Sequence, residues 1–154
     1  MTTFFEWSDA LSVGVDEIDN QHKVLLGLVN EMHEAIQARH STSVVGGVLE
    51  RLADYTQSHF AAEENLMRLL RYPGYAEHKA QHEALMLRVV EFQQKVDAGK
   101  TAIGFELMHF LKVWLTGHIM SSDQRYVECL IDVGVKAKLK QKSWAGRLRD
   151  RLPI

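Results

Sequence analysis

Residues 59–82 read HFAAEENLMRLLRYPGYAEHKAQH and combine two pairs of polar residues at helical spacing with a turn between them. His59 and Glu63 stand four residues apart, and so do His78 and His82. Residues four apart lie on the same face of an α-helix. Between the two pairs comes a Pro-Gly step, where proline disfavours helix in the residue before it and glycine suits a turn. The stretch therefore predicts two helices joined by a tight turn, each with two polar side chains on one face.

The rest of the chain continues the steps of three and four between apolar residues that are typical of amphipathic helices. We expect four helices: one from the Asp16–Asn20 cluster to about Arg39, one from Ser41–Ser43 to Arg71–Gly74, one from that turn to Asp97–Lys100, and one through Met108 to Leu130. Short connections between long helices predict an all-α, up-down-up-down four-helix bundle. The pair Gly46-Gly47 predicts a frayed or kinked entry to the second helix.

Length and composition fit a single globular domain. The chain has 154 residues, of which 46% are hydrophobic and 25% are charged. No apolar run approaches the roughly 20 residues that span a bilayer. The opening MTTFFE lacks the basic and apolar parts of a secretory signal, so we expect a cytoplasmic protein. With Cys129 as the only cysteine, a disulfide framework and a cysteine-based metal site are excluded.

Charge divides the chain into two parts. Residues 134–154 carry seven Lys or Arg against one Asp, a net +6, so the overall −2 leaves −8 on residues 1–133. We expect the bundle and an N-terminal arm over 1–133 and a basic tail or short helix over 134–154. The acidic charge of residues 1–133 does not indicate nucleic-acid binding. For the oligomeric state we expect a monomer.

The tail places Trp144, Leu148 and Leu152 at helical spacing among arginines. That pattern suits a protein partner or an acidic membrane surface. A solvated or loosely docked tail, or one that covers the acidic bundle, fits the same residues.

Polar residues interrupt the apolar stripe of every helix. A buried polar group without a partner costs free energy, and a bound cation gives many such groups one common partner. A single histidine on an apolar face is more often satisfied within the core, but five histidines and two carboxylates on four helices predict a metal site. These residues are His22, His59, Glu63, His78, His82, His118 and Asp123.

The last two members of this set are the least regular. His118 and Asp123 stand five residues apart, which separates them by more than a third of a turn on an ideal helix. For both to point inward, the helix needs a π-type irregularity or a favourable aspartate rotamer.

The donor types indicate two metal ions. Imidazole suits iron, and carboxylates bridge hard cations. Five imidazoles, two bridging carboxylates and one bridging oxygen fill all but one coordination position of two octahedral irons. The open position on a reduced pair predicts reversible dioxygen binding, while zinc or manganese stays an alternative. Apolar stripe residues would exclude water from the site: Leu25, Phe60, Leu115 and Ile119.

The combined pattern of histidine and carboxylate spacings resembles the ligand set of the hemerythrins. The opening from Trp7 through the sequence GVDEIDNQH, which ends at His22, is similar to the bacterial branch, the bacteriohemerythrins. The resemblance covers roughly residues 5–131. It implies a four-helix bundle that carries dioxygen at an oxo- or hydroxo-bridged non-haem di-iron centre.

The resemblance also implies a role for each ligand. One iron is bound by His78, His82 and His118, and the other, which keeps the open position, by His22 and His59. Glu63 and Asp123 bridge the two irons. Leu115 and Ile119 fall where the family places residues of the oxygen pocket. Trp7 and Trp114 are expected to pack near the site or in the core.

Two other functions use the same residues. One is a di-iron enzyme acting on peroxide or nitric oxide, and the other is a sensor of oxygen, redox state or iron that signals through a partner. Ferritin-like oxidases use four carboxylates and two Glu-x-x-His pairs, and the seven-residue set has neither. His33, His40 and His109 fall off the inward stripes and are expected in solvent.

Overall fold

The computed structural model describes residues 3–99 and 104–134. Four helices follow one another as α1 (Asp16–Gln37), α2 (Thr42–Leu69), α3 (Tyr75–Asp97) and α4 (Gly104–Gly117). The last continues through a π-helical segment, His118–Asp123, into helix over residues 124–134. Short turns join α1 to α2 and α2 to α3, and each of these pairs packs side by side, as does α1 with α4. The predicted all-α four-helix bundle is confirmed.

The second residue after the end of α1, of α2 and of α3 lies in the left-handed region. Arg39, Arg71 and Gly99 have φ values of 52°, 53° and 79°. After Arg39 and Arg71 the chain closes the helix with a bond five residues back, from His40 N to Ala35 O and from Tyr72 N to Met67 O. This backbone pattern satisfies carbonyls at the helix end and turns the chain sharply. It lets consecutive helices lie antiparallel over short connections.

The prediction of a frayed entry at Gly46-Gly47 is wrong. Helix α2 begins at Thr42, before the glycines, and continues unbroken to Leu69. The Ser41 hydroxyl accepts a hydrogen bond from Val44 N at 3.3 Å and so caps the helix. Val45 and Val48, on either side of the pair, are buried. Capping and burial together outweigh the low helix propensity of two glycines.

The N-terminal arm is fastened to α1. The Asn30 amide accepts from Phe5 N at 2.8 Å and donates to Phe5 O at 2.9 Å. Nearer the start of α1, Asp19 accepts from the Ser12 hydroxyl at 2.6 Å and from Val13 N at 2.9 Å. These contacts hold the arm along α1, from the level of Asn30 back to the first turn of the helix.

No helix in the described ranges is long and apolar enough to cross a membrane. Of the predicted basic tail, only Gly134 lies among the described residues. The roles expected for the tail therefore stay predictions.

Asn30→Ala tests the anchoring of the arm. The substitution removes both bonds to Phe5, each of which contributes about 1 kcal/mol. We expect a lower free energy of unfolding in chemical denaturation and faster proteolytic cleavage within residues 3–12. Glu34→Ala, at an exposed position one turn along the same helix, is the control. Equal behaviour of the two variants would contradict the assignment.

Candidate metal centre

The seven polar stripe residues meet at one end of the bundle. Antiparallel packing brings the beginning of α1, the end of α2, the beginning of α3 and the segment after α4 to the same level. All seven side chains are buried there, with exposed fractions between 0% and 6%. They are His22, His59, Glu63, His78, His82, His118 and Asp123. The structure thus brings together the whole set that the sequence predicts.

The π-helical segment accounts for the irregular spacing of the last two members. It spans His118–Asp123, so one wide turn separates these residues. Both side chains consequently face inward, with His118 Nε2 3.2 Å from Asp123 Oδ1. The predicted π-type irregularity is confirmed.

Glu63 divides its two oxygens between two groups of histidines. Its Oε1 lies 2.6 Å from His59 Nε2 and 3.5 Å from His22 Nε2. Its Oε2 lies 3.4 Å from both His78 Nε2 and His82 Nε2. The carboxylate therefore stands between a group of two imidazoles and a second group on the other side.

Asp123 makes the same division from the opposite helix. Its Oδ2 lies 3.2 Å from His22 Nε2. Its Oδ1 lies 3.1 Å from His78 Nε2 and 3.2 Å from His118 Nε2. Both carboxylates thus place one oxygen toward a two-histidine side and the other toward a three-histidine side.

The donor atoms suit cations better than they suit one another. The ring nitrogens of His22 and both oxygens of Glu63 are fully buried and form no regular hydrogen bond within the described part of the chain, although their neighbours lie close. His82 Nε2 and His118 Nε2 face each other at 3.0 Å, a contact that needs a proton or a cation between two lone pairs. A metal ion would satisfy these orphaned atoms together.

Two overlapping groups of donor atoms are compact enough to hold an ion each. Within each group the donor atoms lie within 4.8 Å of one another. Glu63 belongs to both groups, which are Glu63, His78, His82, His118 and Asp123 on one side and His22, His59 and Glu63 on the other. Two ions joined by a shared carboxylate fit this arrangement.

The electrostatics of the metal-free cluster follow from burial and mutual attraction. Burial alone lowers the pKa of His22 and His78, but contacts with Asp123 and Glu63 raise both pKa values to about 9. Burial opposes ionisation of the carboxyls, yet the surrounding histidines hold the pKa of Glu63 and of Asp123 below the usual range. Burial and neighbouring histidines lower the pKa of His118. In the metal-free cluster two carboxylates are therefore paired with two protonated histidines, His22 and His78.

Comparison with known protein families also indicates a cation-binding domain. The model of the hemerythrin HHE cation binding domain matches residues 13–130. This chain belongs to the hemerythrin family. The matched residues include all seven members of the cluster.

Named relatives and solved hemerythrin structures cover most of the chain. It is 39% identical over 152 residues to a bacteriohemerythrin of Stenotrophomonas maltophilia, covering 94% of this chain and 95% of that protein. It is 38% identical over 142 residues to a bacteriohemerythrin of Pseudomonas aeruginosa, covering 92% and 91%. A wild-type hemerythrin crystal structure superposes with a TM-score of 0.76 at 33% identity, covering 82% of this chain and 97% of that one.

Sequence reasoning missed the residues that orient three of the hemerythrin histidines. His59 Nδ1 lies 2.6 Å from Gln21 Oε1, and His118 Nδ1 lies 3.0 Å from Gln81 Oε1. The third contact joins His82 Nδ1 to Glu64 Oε2 at 3.1 Å. An acceptor at Nδ1 keeps the proton there and turns the Nε2 lone pair toward the centre of the cluster.

A sequence signal for these partners does exist. Gln21, Glu64 and Gln81 are each adjacent in the chain to a cluster residue. Each contacts a histidine of a different helix, so neighbouring helices orient one another's ligands. Ser122 strengthens the last contact by donating its hydroxyl to Gln81 Oε1 at 2.6 Å.

Apolar and aromatic side chains cover the cluster toward the middle of the bundle. Phe60 stacks on His82 with ring centroids 3.7 Å apart, and Trp114 stacks on His118 at 4.4 Å. The other residues of the predicted oxygen pocket are also buried: Leu25, Leu115 and Ile119. Of the two placements expected for Trp114, near the site or in the core, the structure shows the first.

Toward the end of the bundle the cluster meets Tyr126. Its ring packs edge-on against His78 with centroids 5.5 Å apart, and its hydroxyl is buried without a hydrogen-bond partner among the described residues. Burial, then the charges of Glu63 and Asp123, raise the pKa of this phenol. It stays neutral beside the carboxylates at ordinary pH.

Other histidines lie outside the cluster. His40 and His109 are exposed, as predicted. The expectation of a solvated side chain is wrong for His33. This residue is partly buried, and its ring stacks on that of Phe4 with centroids 4.3 Å apart. His109 completes the chain's one Glu-x-x-His sequence with Glu106, which is exposed as well. Neither residue joins the metal centre.

The raised pKa values predict proton release on metal loading. At pH 7 the pKa values of about 9 keep His22 and His78 protonated in the metal-free protein. Because a metal binds only neutral imidazole, loading must displace these protons. Calorimetry in buffers of different ionisation enthalpy should therefore detect proton release at pH 7. The release should decline as the pH rises through about 9. Release that is independent of pH would contradict the assignment.

Proposed function

We propose that this chain binds dioxygen reversibly at a non-haem di-iron centre. The proposal rests on one observation above all, the division of both Glu63 and Asp123 between a two-histidine side and a three-histidine side. Membership of the hemerythrin family supports the choice of iron and dioxygen. Storage, delivery and sensing all use this binding step.

In the proposed assignment each buried donor has one role. His78, His82 and His118 would hold one iron, and His22 and His59 would hold the other. Glu63 and Asp123 would be shared between the two ions. The side with two histidines has fewer protein donors and would therefore leave room for dioxygen. When bound, a reduced pair of irons supplies the electrons that hold the gas.

The apolar residues keep the binding reversible. We assign Leu25, Phe60, Leu115 and Ile119 to the oxygen pocket because all four are buried and flank cluster histidines in the chain or in space. A wall of these apolar side chains would deny water and protons access to the site. Dioxygen could then leave unchanged when its pressure falls.

This proposal favours an oxygen carrier over an enzyme. The similar proteins of Stenotrophomonas maltophilia and Pseudomonas aeruginosa are named bacteriohemerythrins, which supports that choice. The expected cytoplasmic location, monomeric state and contacts of the tail stay predictions from the sequence. They do not bear on the chemistry of the site.

His118→Ala and Glu63→Ala test the assignment of the ligands. We expect wild-type protein to show a visible absorption band that appears with oxygen and disappears when oxygen is removed, and each variant to lose it. His109→Ala, an exposed histidine of the same helix, should keep the band. A variant that retains two irons and the reversible band would contradict its assigned role.

Leu115→Ala tests the exclusion of water from the pocket. Since the substitution opens space beside His118, we expect the oxygenated protein to oxidise irreversibly several times faster, as followed by decay of the same band. Loss of a buried leucine also costs about 2–5 kcal/mol of stability. Leu111→Ala, buried one turn farther from the site, is the matched control for that cost. Equal oxidation rates in the two variants would remove Leu115 from the pocket.

A further inference from the structure

The three acceptors at the Nδ1 atoms differ in charge. His59 and His118 are held by the neutral amides of Gln21 and Gln81. His82 alone among these three is held by a carboxylate, that of Glu64. The centre is therefore asymmetric beyond the number of histidines on each side.

The carboxylate is placed where its charge reaches the site. The Glu64 side chain is 17% exposed and the His82 side chain is 2% exposed, so the contact between the carboxylate and the ring is largely shielded from solvent. Glu64 and His82 line a groove between α2 and α3 whose remaining walls are largely apolar. Charge is screened less in such surroundings than at an open surface. Glu83, on the rim of the same groove, is exposed and lies 3.9 Å from Lys79 instead.

A carboxylate partner changes what an imidazole gives to a metal. When Nδ1–H donates to an anion, the ring becomes more basic, and its Nε2 becomes a stronger donor to the ion. A stronger donor and a nearby negative charge both favour the more highly charged, oxidised ion. A glutamine partner fixes the same ring orientation without adding charge.

We propose that Glu64 is a positioning residue that lowers the reduction potential of the iron on the three-histidine side by hydrogen bonding to His82. The inference rests on the proposed function, because it requires iron at that side. The couple concerned is the uptake of one electron by the iron from a soluble reductant. Glu64 acts through its contact with His82 and touches neither the metal nor dioxygen.

Two substitutions of opposite sign separate charge from hydrogen bonding. Glu64→Gln keeps the length of the side chain and an oxygen acceptor but removes the charge. Gln81→Glu adds a charge to the partner of His118, on the same side of the centre. Glu83→Gln is the matched control. The Glu83 carboxylate lines the same groove but is paired with Lys79 rather than with a cluster histidine.

The measurement is a spectroelectrochemical titration of the iron-loaded proteins. We expect the midpoint potential to rise in E64Q, to fall in Q81E and to stay near the wild-type value in E83Q. A shift in E64Q no larger than that in E83Q would overturn the proposal. If E64Q does not retain iron, Q81E decides, and a potential that does not fall overturns the proposal.

A redox-inactive metal gives an independent reading. In the zinc-loaded protein, the Nδ1–H proton of His82 should resonate downfield of that of His118, and E64Q should abolish the difference. Equal shifts in the unsubstituted protein would overturn the proposal. Failure of wild-type protein to bind two irons would instead refute the proposed function, and this inference with it.

Discussion

The sharing of two buried carboxylates among five imidazoles is the constraint on which the rest of the structure depends. Unpaired carboxylates and imidazoles are costly in a buried core, and here the two oxygens of each carboxylate face different groups of histidines. That arrangement has no good solution made of hydrogen bonds alone, as the facing Nε2 atoms of His82 and His118 indicate. Two bound cations would give these buried groups common partners. Because the groups come from all four helices, each helix must place its own at the same level of the bundle.

Several features of the fold follow from that requirement. The left-handed residues Arg39 and Arg71 close helices over short turns, so that ligands from α1, α2 and α3 meet at one end. The π-helical segment turns both His118 and Asp123 inward. Contacts such as that of Gln21 with His59 then link the helices in pairs around the centre. The site and the fold thus depend on the same packing.

Much of this could be predicted from the sequence, since periodicity fixes which face of a helix is buried. The stripes of residues gave the four helices, the seven cluster residues and even the irregular turn after His118. Contacts between helices left weaker signals. Nothing in the helical pattern distinguishes Glu64 from a solvated glutamate, because its partner His82 lies on another helix. Fraying at Gly46-Gly47 was predicted from propensity, whereas the Ser41 cap and buried valines decide it.

The most direct test of the central claim is the location of iron in crystals of the protein purified with its metal. Anomalous difference maps collected at the iron absorption edge should show two peaks inside the cluster. One should lie among His78, His82 and His118, and the other beside His22 and His59, with Glu63 and Asp123 between them. A single peak, no peak, or iron bound elsewhere in the molecule would contradict the account.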